Sequence, residues 1–166
     1  GIEPDGKFIW TYFESMTPDI MPQSLLVVGS GAIGIEFASF FNSLGSKVTV
    51  VEAMKQVLPN EDYEIAKIAQ SHFNKLGIQI MTESTVKKLL KTNASVTALV
   101  EDKNGNSHQI TADRVISAVG VVGNIEGIGL ETTKVKTSNG CITVDEFGET
   151  AERGVFAIGD VAGPPM

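Results

Sequence analysis

One cysteine, Cys141, stands in a chain of 166 residues. A single thiol excludes an internal disulfide, a C-x-x-C redox centre and a cysteine zinc site. With no base near it in sequence, it is expected to be an inert, partly buried side chain in a reducing, cytoplasm-like compartment. Basic residues are also few: 13 lysines and arginines against 20 aspartates and glutamates give a net charge of −7. That balance argues against a phosphate-tracking surface, so nucleic acid and anionic membranes are not expected partners. Long hydrophobic runs are missing too. The longest mainly apolar stretch, VVGSGAIGIEFASFF, is broken by glycines, Ser30, Ser39 and Glu36, so no membrane-spanning helix is expected. Glu3, Pro4 and Asp5 stand where a signal peptide would be basic and then apolar. Paired carboxylates, a nucleophilic triad and metal-ligand spacing are absent as well, so neither a catalytic residue nor a metal site is expected here.

The length suits one well-buried domain, and the composition is that of an ordinary globular chain. The chain opens on Gly1 and stops on DVAGPPM with no element closed, as expected of a piece of a longer protein. Residues 1–24 form a lead-in with one extended run, KFIWTY, and the punctuation of Pro4, Pro18 and Pro22. Trp10 in that run is expected to pack in the core.

Organisation begins at Leu25. LLVV (25–28) is a continuous apolar run, as a parallel strand buried on both faces requires. A glycine loop follows, then a helix with Ile33, Phe37, Phe40, Phe41 and Leu44 on the expected inner stripe, closed by Gly45. KVTVV (47–51) is the next strand. A second helix is expected from Asp62 to Leu76, with Ile65, Ile68, Ala69, His72, Phe73 and Leu76 facing inward. On that stripe His72 is expected to be a hydrogen-bonded core residue. IQIM (78–81) completes a strand–helix–strand–helix–strand unit. VKKLL, VTALVE and SHQITA then alternate in the manner of a small antiparallel sheet, with an Asn-Gly turn in KNGN (103–106) and an exposed His108. RVISAVG (114–120) should rejoin the parallel sheet, and GVFAIGD (154–160) repeats its form as another apolar strand. The fold class is therefore α/β: a Rossmann-like doubly wound parallel sheet with a three-stranded antiparallel insert at about residues 86–112. The domain itself is expected over 25–145, with 146–166 leading out of it.

VVGSGAIGIEF (27–37) spaces Gly29, Gly31 and Gly34 as G-x-G-x-x-G between a strand and a helix. The first glycine permits the turn, the second lets a pyrophosphate approach the backbone, and the third lets helix and strand pack closely. Free N–H groups at the helix start then face the phosphates. Glu52 comes 18 residues after Gly34, at the end of the second strand, where an acid accepts hydrogen bonds from an adenosine ribose. Its charge would repel a 2′-phosphate, and only Lys55 offers a nearby cation, so NAD is favoured over NADP. The loop alone leaves open a nicotinamide dinucleotide, a flavin dinucleotide or a regulatory nucleotide.

The last segment, TAERGVFAIGDVAGPPM, resembles the second flavin-contacting motif of the flavoprotein disulfide reductases with two dinucleotide-binding domains. In that family the nicotinamide fingerprint precedes AIGD, so the resemblance assigns the present glycine loop to NAD and implies FAD in a longer parent. DGKFIWTY, the glycine loop, AVGVVGNIEGIGLE and AIGDVAGPPM resemble in particular the branch that oxidises dihydrolipoamide as the E3 component of 2-oxoacid dehydrogenase complexes. The resemblance implies that Gly29, Ser30, Gly31, Ala32, Ile33 and Gly34 wrap the pyrophosphate, and that Glu36 reaches the nicotinamide side. Its bland alternative is a solvent-facing acid in the first helical turn. Glu52 would hold the adenosine ribose, Val86 would line the adenine side, and Gly120 would border the nicotinamide. Gly159 and Asp160 would meet the flavin. Lipoyl domains and a homodimer partner are the implied partners of the parent, in the cytoplasm or, in a eukaryote, the mitochondrial matrix. Redox cysteines and the family's His–Glu pair fall outside these residues, so the piece is expected to be catalytically silent. One departure stands out: the family often carries R-x-P-N where this chain has Val121-Val122-Gly123-Asn124. The rival readings are a sister reductase or NADH oxidase, and a stand-alone nucleotide-sensing domain.

Overall fold

The computed structural model describes residues 2–164; Gly1, and the Pro165 and Met166 of the GPPM motif, lie outside the described residues. The elements run β1 (Ile9–Trp10), α1 (Tyr12–Met16), β2 (Ser24–Val28), α2 (Ala32–Ser43), β3 (Lys47–Val51) and α3 (Tyr63–Lys75). Then come β4 (Gln79–Met81), β5 (Ser84–Lys91), β6 (Val96–Asp102), β7 (Ser107–Ala112), β8 (Arg114–Ser117), β9 (Thr137–Ser138) and β10 (Cys141–Ile142). The chain divides into two compact units, Gly1–Val119 and Gly120–Met166.

In the first unit five parallel strands lie in the order β1-β8-β2-β3-β4. Strand β2 sits inside, with Leu26 level with Thr49 on one side and Val115 on the other. Its side chains alternate between two cores, which is why LLVV is apolar throughout. Leu25 and Val27 join Val48, Val50, Ile78 and Ile116 beneath Ala38 and Phe41 of α2. Leu26 and Val28 join Val51 and Val115 beneath Leu89, Val96, Ala98 and Val100 of the antiparallel sheet β5-β6-β7. Each such side chain contributes roughly 1.5–3 kcal/mol when fully buried. The antiparallel sheet thus covers the face where a crossover helix would otherwise lie. Its β6–β7 turn is the expected Asn-Gly one, with Gly105 at φ 80°.

The inner faces of the helices differ from the expected stripes. On α2 the buried residues are Gly34, Ile35, Ala38 and Phe41, whereas Phe40 and Leu44 are half exposed. Small Gly34 and Ala38 let the helix approach the sheet, and that close approach decides which side turns inward. On α3, capped by the Asp62 carboxylate, only Ala66 is buried. Ile65, Ile68 and Leu76 face outward. His72 is exposed rather than a core residue, and its ring meets Phe73 edge-on at 6.0 Å.

The lead-in also carries more structure than expected. β1 pairs with β8, and Trp10 is buried against Phe41, as expected of a packing tryptophan. Thr11 and Glu14 cap α1 reciprocally in a capping box. Upstream, one Asp5 oxygen accepts the N–H groups of Lys7, Phe8 and Ile9, which holds the turn into β1.

In the second unit β9 and β10 form a hairpin across Asn139 and Gly140, at φ 51° and 75°. That is the two-residue geometry an Asn-Gly pair favours. Cys141, half buried, lies in β10 with its Sγ 3.9 Å from the Asp160 carbonyl oxygen. The expected apolar strand GVFAIGD is not one: Phe156 makes a single antiparallel bridge to Glu149, and Phe156 and Ile158 are exposed. An apolar run becomes a strand only where another strand pairs with it along its length.

Candidate functional site

The site grows from the end of β2. Gly29 turns the chain at φ 98°, and its N–H donates to the Val51 carbonyl at 2.9 Å. A Cβ there would lie 2.5 Å from the Ala118 carbonyl oxygen. Gly31 is the N-cap of α2, and a Cβ on it would meet nothing within 4 Å among the described residues. At Gly34 a Cβ would run into the Gly29 carbonyl. Each glycine therefore has its own cause: two are demanded by the protein's own packing, while the middle one faces open space. The first turn of α2, from Ala32 through Gly34, leaves N–H groups without intrahelical acceptors at the mouth of that space. The helix dipole adds partial positive charge there.

Glu52 follows β3 and is only 6% exposed. Its Oε2 accepts the Ser30 N–H at 2.8 Å and the Ser30 hydroxyl at 2.7 Å. Its Oε1 accepts the Met54 N–H at 2.7 Å. The Ser30 carbonyl in turn accepts the N–H of Leu58, a residue at φ 48°. Glycine loop, Glu52 and the 53–58 segment are thereby tied together. A cleft of about 680 Å³ opens alongside, lined by Ala53, Met54, Lys55, Pro59, Glu83 and Thr85 among others. Ser30, Met54 and Leu58 escaped sequence reasoning as loop-holding groups, because their partners lie across the fold and only the hydroxyl between two glycines hints at it.

The remaining expected residues are spread more widely. Ala32 and Ile33 are exposed at the start of α2. Glu36 is exposed too, but it stands beyond the first turn of the helix, which holds no acid. Val86 is half buried in β5, at a break in register with β6, and packs against the core below. Its strand is joined to the site by the Ser84 N–H, which donates to the Glu52 carbonyl at 2.9 Å. Gly120, at φ 77°, opens the second unit. In that unit Gly159 and an exposed Asp160 begin a short 3₁₀ turn, Gly159–Ala162.

A glycine-lined strand-to-helix turn, a buried acid at the next strand end and an antiparallel cover sheet together make a Rossmann-like arrangement. Residues 3–166 match the family described as pyridine nucleotide-disulphide oxidoreductase. The chain belongs to that family. Among its curated relatives, the dihydrolipoyl dehydrogenase of Rhizobium etli is 58% identical over the whole chain, which covers 34% of the relative. That of Zymomonas mobilis is 45% identical over 99% of the chain and 35% of the relative. The chain thus spans about a third of the length of the curated relatives it matches. Among solved structures, LpdA of Mycobacterium tuberculosis superposes with a TM-score of 0.84 at 31% identity, over 98% of this chain and 35% of that one. The HOCl-induced flavoprotein disulfide reductase RclA of Escherichia coli gives 0.83 at 27% identity, over 99% and 37%. Membership of that family implies a flavin and a pyridine nucleotide for its full-length members, and the Rossmann-like reading of the fold stands.

Proposed function

We propose that this chain is the NAD-binding part of a dihydrolipoyl dehydrogenase. One observation carries the reading: Gly31 alone of the three loop glycines has open space where its Cβ would lie, and the free N–H groups of α2 border that space. Gly29 and Gly34 are bare because the protein fills their surroundings. Gly31 is bare where a pyrophosphate would approach. Gly29 through Gly34, with Ser30, Ala32 and Ile33, would hold the pyrophosphate. Glu52 would accept the adenosine ribose, and the neighbouring cleft with Val86 would take the adenine side. Glu36 and Gly120 are assigned to the nicotinamide side by resemblance, as Gly159 and Asp160 are to FAD. In this reading residues 25–145 make the nucleotide-binding domain, 1–24 lead into it and 146–166 lead back toward a flavin domain.

When bound, NAD supplies the acceptor for a hydride delivered from dihydrolipoamide through disulfide and flavin. This chain's own residues bind and orient that acceptor and choose it over NADP. The parent would work in the cytoplasm as a homodimer, receiving lipoyl domains of a 2-oxoacid dehydrogenase complex. Calorimetric titration of the chain with NAD and NADP, beside Glu52→Gln, tests the reading. NAD should bind more tightly than NADP, and the amide should narrow the gap by removing the charge that repels a 2′-phosphate. A wild-type preference for NADP would overturn it.

A further inference from the structure

We propose that Ser30 is a specificity-determining residue: its hydroxyl fixes Glu52 in the state that rejects a 2′-phosphate. The inference rests on the cofactor reading above and assigns a role to a residue that the glycine spacing leaves unspecified. An ionised carboxylate offers about four lone-pair positions, two on each oxygen. Here Oε2 takes both the N–H and the hydroxyl of Ser30, at 2.8 and 2.7 Å, so that oxygen is closed. Oε1 takes the Met54 N–H at 2.7 Å and keeps one position. A ribose hydroxyl can therefore be accepted at Oε1, while Oε2 serves the protein.

Three donors on one carboxylate hold it in one orientation. That fixed orientation is what excludes NADP. A carboxylate that could swing aside would make room for the extra phosphate. Two of the three donors are backbone N–H groups that any residue but proline at positions 30 and 54 would supply. The hydroxyl is the one donor that the choice of serine adds. It is fully buried, and Glu52 is 6% exposed, so bulk water has little access to replace it. Without it Oε2 regains a free position, and the carboxylate loses the contact that stops it turning.

The test measures NAD and NADP dissociation constants by calorimetry for the full chain, Ser30→Ala, Ser30→Gly and Glu52→Gln, with melting followed by circular dichroism. Loss of one hydrogen bond to a charged group should reduce the NAD-over-NADP preference about tenfold in both Ser30 variants. The shift should come mainly from tighter NADP binding, with the NADP dissociation constant moving more than that of NAD, since the Oε1 acceptor remains. If Ser30 only stiffened the loop, both cofactors would weaken together and the ratio would hold, which overturns the inference. Loss of cooperative melting in both Ser30 variants also overturns it, by making the hydroxyl a folding contact. Failure of the cofactor reading is separately visible: wild type would then show no preference for NAD, and Glu52→Gln would change nothing.

Discussion

The carbonyl oxygen of Gly29 occupies the place where Gly34 would carry its Cβ. That contact brings α2 down on β2 and seats Ala38 and Phe41 in the core. Gly34→Ala should therefore cost about 1–3 kcal/mol through overpacking, read as a lower melting temperature. Gly31→Ala should do the reverse. Its Cβ would meet no atom of the described residues within 4 Å. As a change of N-cap it should cost no more than about 1 kcal/mol. Yet its methyl group faces the proposed pyrophosphate and should weaken NAD by at least about tenfold. Melting curves and calorimetry on the two variants separate these effects. The same loss of stability in both would remove the distinction between packing and ligand glycines.

Glu52 is as much a structural residue as a candidate ligand. Glu52→Ala would leave the Ser30 N–H and hydroxyl and the Met54 N–H facing no acceptor in a buried place. The expected loss is about 2–3 kcal/mol, seen as a lower urea midpoint at constant slope. Glu52→Gln keeps one carbonyl acceptor and the same volume, so it should lose roughly half as much. Midpoints equal to wild type for the alanine variant would show that the clamp adds nothing to stability.

What was legible in the sequence was local or two-sided. β2 and β3 showed because strands buried on both faces need continuous apolar runs, and the 103–106 turn showed because Asn-Gly carries its own geometry. The glycine loop was legible for the same reason. Helix orientation was not. Phe40, Leu44, Ile65 and Ile68 look like core residues by spacing, yet the contact face is set by the small residues Gly34, Ala38 and Ala66. β1 has two residues and exists through its pairing with β8, about a hundred positions away. The Ser30–Glu52 contact spans 22 residues and leaves no periodic trace.

Asp5 gives a pH signature. Burial pushes its carboxyl upward, but hydrogen bonds from the Ile9 N–H, the Lys91 ammonium and the Phe8 and Lys7 N–H groups outweigh this and hold it well below the usual 3.8. A carboxyl depressed in the folded state stabilises the fold fully above its unfolded value. That contribution fades as pH falls below about 4 toward the folded value. Asp5→Asn should thus be less stable than wild type by about 1 kcal/mol near neutrality, because charge-assisted bonds become neutral ones. The gap should close on acidification through pH 4 and below. Urea midpoints measured at pH 7, 5, 4 and 3 check this, and a gap that widens toward acid would contradict it.

Gly123 stands where the resembled family often carries proline, and the structure gives a reason for the change. Its N–H donates to the Gly140 carbonyl at 3.0 Å, tying the 121–124 segment to the Asn139–Gly140 turn. A Cβ on it would lie 2.9 Å from the Val161 Cα and 3.0 Å from that same carbonyl oxygen. Gly123→Ala should therefore strain the second unit by about 1–3 kcal/mol. Gly123→Pro should cost more, since it removes the donor as well as adding atoms. Amide exchange at Thr143, whose N–H donates to the Lys136 carbonyl at 2.8 Å, reports the opening of that hairpin. Where exchange follows local opening, it should quicken about tenfold for each 1.4 kcal/mol lost, and more in the proline variant than in the alanine one. If Gly123→Pro left exchange at Thr143 unchanged, the glycine would be a tolerated substitution rather than a requirement of this chain's own packing.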